Sequence, residues 1–359
     1  MNRPSDAPDA TVVVAACNRR EKTLACIRAL LAQTHGAYEI IMVDDGSTDG
    51  TPDAVEELGR GASVPLRVLR NGRNLGANPS RNRGVREARG ALVAFIDSDC
   101  YADPAWLERL TAPFADARVG AVTGLVDDTP ATNAWELAFR GTHRLPRRGP
   151  VGRVVIGNLC VRRALLAAHA LDESRPTRRL ADGSPDLAIS ARSDEEGLNL
   201  ALRAAGWRVL AEPSARAVHD HPYSFRSLMR QAWFGGQSAA ELVWKYRLGP
   251  RKDLAPIALF DLTLVVALVA WPFASPLVLL APLVAAVPPV AAISYNELRN
   301  KGKTPLELAR CAPALAVYYQ VRLAGYLRRR MELLLGRRAV ARVVRGEVAR
   351  MLPPPGSIA

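Results

Sequence analysis

Two acidic clusters carry the chemistry latent in this chain. Ile40-Ile41-Met42-Val43 runs straight into Asp44 and Asp45, followed at once by Gly46-Ser47-Thr48-Asp49. Val93-Ala94-Phe95-Ile96 runs in the same way into Asp97-Ser98-Asp99. An apolar run bounded by turn-forming residues is the signature of a strand buried on both faces. In open α/β sheets, ligands bind beyond the carboxyl ends of such strands, so the two clusters should line one crevice. An Asp-x-Asp there suits Mg²⁺ or Mn²⁺, because hard oxygen ligands hold the ion while substrate phosphates complete its shell. The substrate implied is a metal-bound diphosphate. Each fragment alone is also an ordinary capped turn; their order on two successive strands lifts them above that reading.

The elements that must position these carboxylates follow from the spacing of apolar residues. Residues 11–16 read as a first buried strand. A helix over about 21–33 follows, with Leu24, Ile27, Leu30 and Leu31 at helical spacing. Strand 40–43, a helix near 52–58 opened by Pro52, and strand 66–69 come next. Asn78-Pro79 predicts a helix start, with Asn78 as cap, running to about Ala88, and strand 92–96 closes the series. Alternation of this kind predicts a doubly wound parallel sheet. Residues 119–213 are less regular. Residues 175–192 are polar and read as a loop over the crevice, and a helix from about Asp194 to Ala205 stops at Gly206.

Composition narrows the classes. The chain has 359 residues, 49% of them hydrophobic, and a formal net charge of +13, enough for one large core or two modest ones. That charge admits nucleic acid, anionic lipid or phosphorylated substrates. No finger, basic zipper or aromatic-basic platform speaks for nucleic acid. Much of the positive excess comes late, from Arg322 to Arg350, which favours a membrane surface. The five cysteines are scattered without metal-ligand spacing, which predicts reduced thiols. Cys100 reads as a small apolar filler. Residues 1–10 hold no apolar segment of the secretory kind, so the catalytic part is expected in the cytoplasm, at the cell membrane.

Between residues 254 and 295 the one charged residue is Asp261. A membrane span needs about 20 apolar residues, so this proline-broken run predicts either a re-entrant hairpin or two short transmembrane helices. Arg251 and Lys252 before it, with Arg299, Lys301 and Lys303 after it, would keep both ends on the cytoplasmic side. The other reading is a buried helical pair of a soluble domain.

Val-Val-Ala-Ala-Cys-Asn (13–18), Leu-Ala-Gln-Thr (31–34), Val-Asp-Asp-Gly-Ser-Thr-Asp (43–49), Asn-Leu-Gly (74–76) and Ser-Arg-Asn-Arg-Gly (80–84) occur in that order. Phe-Ile-Asp-Ser-Asp (95–99), Ala-Asp-Pro-Ala-Trp-Leu (102–107), Gly-Asn-Leu-Cys-Val-Arg-Arg (157–163) and Arg-Ala-Ala-Gly-Trp-Arg-Val (203–209) follow. The ordered set resembles the family-2 glycosyltransferases of the GT-A fold, inverting enzymes that use nucleoside-diphosphate sugars, over about residues 11–236. The resemblance implies a doubly wound, mostly parallel α/β sheet followed by a helical, membrane-associated C-terminal region. It divides the chain into a short N-terminal segment (1–10), a transferase domain (11–236, split at 118/119), a connecting helix (237–253), the hairpin (254–295) and a basic amphipathic end (296–359).

It also implies roles. Ala15 would meet the nucleobase through its backbone, and Asp45 would accept a hydrogen bond from the base. Arg81 would lie against base or diphosphate, Asp97 near the ribose, and Asp99 on a Mn²⁺ or Mg²⁺ ion. His219, and less closely His221, would be further ligands of metal or diphosphate. The base that takes the acceptor's proton would come from Asp194-Glu195, which inverts the family's Glu-Asp order. Glu195 stands where the family's catalytic Asp sits, Glu196 follows, and the choice among the three stays open. Gln231-Ala232-Trp233 only faintly echoes the signature of processive synthases, which implies transfer of a single sugar. The partners implied are a nucleoside-diphosphate sugar donor, a hydroxyl acceptor that membrane attachment would make lipid-linked, and membrane lipids, with no nucleic acid. The competing readings are a sugar-nucleotide pyrophosphorylase, against which residues 15–20 lack a Gly-rich loop, and a membrane scaffold with a degenerate transferase domain.

Overall fold

The computed structural model describes residues 8–141, 147–152, 154–171, 173, 194–220, 224–245, 254–270, 281–336, 352–355 and 357. The first half alternates as expected: β1 (Ala10–Ala16), α1 (Arg20–Leu31), β2 (Tyr38–Asp44), α2 (Thr51–Gly59), β3 (Leu66–Arg70), α3 (Ala77–Glu87) and β4 (Leu92–Ile96). These strands pair in parallel in the order β3-β2-β1-β4. Both faces of β1 are covered, which is why its sequence is apolar without alternation. Val12 and Val14 share a core with Leu24, Ile27 and Leu30 of α1. On the other face α3 lies so close that a Cβ on Gly84 would sit 2.5 Å from Val13 Cγ1. The N-cap of α3 is Gly76, at φ 102°, so Asn78 is the second residue of the helix and does not cap it. A positive φ of this size is reached readily by glycine alone, and this outranks the Asn-Pro signal.

The second half is β5 (Cys100–Ala102), α4 (Trp106–Thr111), β6 (Val119–Asp128), α5 (Ala134–Phe139), β7 (Gly149–Pro150), β8 (Asn158–Arg162), α6 (Arg163–Ala168), α7 (Asp194–Ala204) and β9 (Arg208–His219). Here the sheet departs from expectation. β8 runs antiparallel between β4 and β6, β6 and β9 are parallel, and β5 and β7 pair antiparallel with β9. The sheet is therefore mixed: β1–β4, β6 and β9 run one way, and β5, β7 and β8 run the other. A crossover helix sets strand direction locally in the first half, whereas β8 and β9 are reached through long connections that leave their direction to packing. Asn158, fully buried at the start of β8, ties this half together. Its Nδ2 donates to the carbonyls of Leu125 (2.9 Å) and Ala215 (3.0 Å), and its Oδ1 accepts from Trp106 Nε1 at 2.8 Å. α7 buries Leu198, Ala201 and Leu202, and Gly206 beyond it takes φ 85°, the left-handed stop its sequence predicts. The expected loop at 175–192 lies outside the described residues.

The chain forms two compact units, Met1–Thr129 with His143–His221 and Arg345–Ala359, and Pro130–Thr142 with Pro222–Val344. The sheet belongs to the first. The second unit is helical: α5, then α8 (Phe225–Lys245), α9 (Ala255–Ala270), α10 (Ala281–Tyr295), a π-helical turn (Asn296–Asn300) and α11 (Pro305–Leu334). α8 and α11 cross at glycines, since a Cβ on Gly236 would lie 1.9 Å from the Arg322 carbonyl oxygen and one on Gly325 2.2 Å from that of Trp233. No described helix is long and apolar enough to cross a membrane; α9 and α10 have 16 and 15 residues. The expectation of two transmembrane helices is thus not met among the described residues.

Two of the cations expected to flank a hairpin at the headgroups, Lys301 and Lys303, are engaged with Glu297 instead. The side chains of Glu297 and Lys303 are both wholly buried, 2.6 Å apart, and Lys303 Nζ also donates to the Arg140 carbonyl at 2.6 Å. Lys301 holds the other Glu297 oxygen at 2.6 Å. Burial, with Lys301 nearby, moves the Lys303 ammonium below its usual range against the pull of Glu297. Arg329 is buried between Glu241 (2.7 Å) and Glu332 (2.9 Å), while Arg328 and Arg330 lie over the rings of Trp233 and Trp244. Arg251, Lys252 and the arginines from Arg337 onward lie outside the described residues.

Candidate active site

Three strand ends meet at one edge of the sheet. The turn after β1 and the turn after β2 are zipped together by hydrogen bonds. Asn18, at φ 51°, a backbone that Asn tolerates better than most residues, accepts from the Thr48 amide at 2.8 Å, while its own amide donates to Ser47 Oγ at 3.0 Å. Asp49 accepts from the Arg20 amide (3.1 Å) and from the amide (3.0 Å) and hydroxyl of Thr51. Burial works against its charge, but these bonds hold the carboxyl below its ordinary value. Asp44 accepts from the Ser47 amide at 3.1 Å. Gly46, at φ 76°, lets the turn pass the Arg73 backbone, where a Cβ would come within 2.6 Å.

Asp45 is committed to the neighbouring loop. Its Oδ1 accepts from Asn71 Nδ2 and the Leu75 amide, both at 2.9 Å, and its Oδ2 from the Gly76 amide at 2.8 Å. Those three bonds fill most of a carboxylate's four acceptor positions. Ala15 sits on β1 opposite Val43, and the next residue, Ala16, accepts the Asp45 amide at 2.8 Å.

The Asp-x-Asp splits into two environments. Arg81, itself buried and oriented by Asn78 Oδ1 (3.2 Å), donates to Asp97 Oδ1 at 2.7 Å. A Cβ on Gly157 would lie 2.6 Å from the other Asp97 oxygen, so this glycine makes room for the pair. The Asp99 side chain is only 5% exposed. Arg19 pairs with its Oδ2, and His219 Nε2 lies 3.7 Å from the same oxygen. Cys100 faces His219 across the β5–β9 pairing, and Asp128 faces it across β6–β9. His219 Nδ1 lies 3.2 Å from Asp128 Oδ1. Burial alone would lower the His219 pKa; the Asp128 bond and the charges of Asp99 and Asp97 carry it above the usual value.

The ligand atoms of Asp99, Cys100 and His219 lie within 4.8 Å of one another. Burial pushes the Cys100 thiol far up, with Asp97 and Asp99 adding to the effect, so it is a neutral thiol and a poor ligand. A carboxylate oxygen with an imidazole whose second nitrogen meets a carboxylate is, by contrast, a donor set that fits Mn²⁺ or a similar divalent ion. The Arg19 guanidinium already stands as a cation on Asp99. One turn further along α1, Lys22 Nζ lies 3.3 Å from Asp220 Oδ2, which also accepts from the Tyr101 hydroxyl at 3.1 Å. Burial and Asp220 push the Tyr101 phenol up to about 12.

The structure thus brings Asp97, Asp99, Arg81 and His219 to one edge, with Asp45 and Ala15 at the adjoining strand ends. The side chains of Asp194 and Glu195, which begin α7, and all of His221 lie outside the described residues. Arg19, Lys22, Asp128 and Asp220 went unread in the sequence. Asp127-Asp128 does end the apolar run 119–126, the same signal that marked Asp44-Asp45.

Residues 11–164 match the family model described as Glycosyl transferase family 2. Glycosyltransferase AglE of Haloferax volcanii is 32% identical over 127 residues, which is 35% of this chain and 41% of that protein. The pre-mycofactocin glycosyltransferase of Mycobacterium tuberculosis is 29% identical over 252 residues, 66% of this chain and 49% of that protein. The chain therefore spans less than two thirds of the length of these curated relatives. Among solved structures, mannosyltransferase PcManGT from Pyrobaculum calidifontis, in complex with GDP-Man and Mn²⁺, superposes with a TM-score of 0.55 at 20% identity, covering 92% of this chain and 88% of that one. Residues 11–164, with their mixed α/β sheet and ordered carboxylates, are thus the part of the chain that matches glycosyltransferase family 2.

Proposed function

We propose that the chain moves a single sugar from a nucleoside-diphosphate sugar to a hydroxyl acceptor, with inversion and with the help of a divalent cation. The observation that carries this reading is the meeting of buried Asp99 with the partly buried His219, backed by Asp128, at the edge where β1, β2 and β4 end. In this reading Asp99 and His219 hold the cation, which would offset the negative charge gained by the departing nucleoside diphosphate. Arg81 fixes Asp97 toward the ribose, and the zipped turns after β1 and β2 form the wall for the base, with Asp45 and the Ala15 backbone nearest to it. A carboxylate at the start of α7, Glu195 or Asp194, takes the proton of the acceptor hydroxyl as its oxygen bonds to the sugar carbon and the sugar–diphosphate bond breaks.

The lipid side of the reading is also part of this proposal. Leu262, Val265 and Val269 of α9 are each more than half exposed, and apolar surface of that kind supports contact with membrane lipids and a lipid-linked acceptor on the cytoplasmic face. Incubating the purified chain with Mn²⁺ and a series of nucleoside-diphosphate sugars, GDP-mannose first, tests the central reading through release of nucleoside diphosphate. EDTA should stop it and Mn²⁺ or Mg²⁺ restore it; full turnover in EDTA would exclude the metal.

A further inference from the structure

We propose that Arg19 is the resident counter-cation of Asp99. It yields that carboxylate to the divalent cation when a nucleoside diphosphate arrives, and then pairs with the anionic oxygens of the diphosphate. This rests on the donor-site reading above and adds a consequence to it: the free protein binds the divalent ion weakly, and nucleotide and ion bind cooperatively.

Three observations carry the inference. Arg19 and His219 converge on one oxygen, Asp99 Oδ2. A guanidinium held there repels a second cation approaching the same oxygen, so the ion must displace it. The two partners also differ in freedom. The Asp99 side chain is 5% exposed and the Arg19 side chain 41%, so the carboxylate is fixed while the guanidinium can leave toward solvent. Finally, the Arg19 backbone is held on both sides, by Asn18 with Ser47 and Thr48 and by Arg20 with Asp49. The long side chain therefore pivots from a fixed root at the mouth of the crevice. A buried carboxylate close to Asp97 and Asp128 is costly without a positive neighbour, which accounts for the pairing in the free protein. Arginine suits the second position as well, because its planar fork matches phosphate oxygens.

The test is direct binding of Mn²⁺ to the full chain, read from the electron paramagnetic resonance of the free ion, without nucleotide and then with GDP or UDP. Arg19→Gln should bind Mn²⁺ more tightly than wild type when no nucleotide is present, within the roughly 5–150-fold range usual for coupled sites. Nucleotide should then tighten Mn²⁺ less in the variant than in the wild type. Arg19→Lys, which keeps the charge and loses the fork, should fall between the two. Equal or weaker Mn²⁺ affinity of Arg19→Gln in the free protein would overturn the counter-cation role while leaving the donor site standing. Failure of the wild type to bind Mn²⁺ or either nucleotide would overturn the donor-site reading itself, and this inference with it.

Discussion

Removing Asp128 tests how the proposed site is built, because in that reading Asp128 orients the His219 imidazole that holds the cation. Its Oδ1 lies 3.2 Å from His219 Nδ1, and both side chains are 12% exposed. With its proton on Nδ1 and bonded to Asp128, the imidazole turns its Nε2 lone pair toward the side where Asp99 Oδ2 lies, 3.7 Å away. Losing a partner of this kind costs roughly 10–100-fold in metal affinity. Asp128→Asn keeps an oxygen that can accept the Nδ1 proton and loses only the charge, so its cost belongs near 10-fold. Asp128→Ala loses bond and charge together and belongs near 100-fold, about 2.8 kcal/mol at 1.4 kcal/mol per tenfold. Mn²⁺ titration at saturating nucleoside diphosphate measures both. Wild-type affinity in the alanine variant, or a greater loss with asparagine than with alanine, would refute the role given to His219.

Three further outcomes follow from other contacts. Gly157→Ala puts a methyl group 2.6 Å from Asp97 Oδ2, so it should disturb the Arg81 pair and raise the donor KM several-fold without changing the circular dichroism spectrum; an unchanged KM would show that Asp97 does not serve the donor. Lys303→Met leaves the buried Glu297 with Lys301 alone, which should cost about 3 kcal/mol, the low end for breaking a buried pair, read as a lower unfolding temperature by calorimetry; an unchanged temperature would contradict it. Because its hydrogen bonds hold Asp49 below the ordinary carboxyl pKa, its stabilisation is complete above roughly pH 4 and fades as pH falls through the lowered value. Asp49→Asn should therefore show a shallower loss of stability on the acid side, measured by urea unfolding between pH 6 and 3, and an equal slope would speak against those bonds.

How much of this could be read from the sequence depends on how local the cause is. β4 occupies residues 92–96 as expected, because an apolar run ending in acids and turn residues has few other solutions. Asp97 and Asp99 follow from that strand. The antiparallel direction of β8 follows from nothing nearby; it depends on Asn158 meeting Trp106, Leu125 and Ala215, partners far off in the chain. The same limit hid Asp128, whose meaning comes from a strand some 90 residues later. It also hid the true setting of Lys301 and Lys303. As flanks of an apolar run they resemble headgroup anchors, but Glu297, four to six residues away in a π-helical turn, holds them as ion pairs. Asp261, the lone charge of that run, is likewise met by Gln320 Nε2 at 2.9 Å, 59 residues on. Arg19 was legible only as a residue after Asn18; its carboxylate partner lies 80 residues further along the chain.

The central claim is that Asp99 and His219 hold a cation on the diphosphate of a sugar donor at the edge where β1, β2 and β4 end. Anomalous diffraction from crystals grown with Mn²⁺ and a nucleoside diphosphate tests it most directly. If Asp99 and His219 hold the cation, one strong peak is bonded to the Asp99 carboxylate, to His219 Nε2 and to the diphosphate, with the nucleoside against the turns after β1 and β2. A peak away from Asp99, or a nucleotide bound elsewhere on the chain, would contradict it.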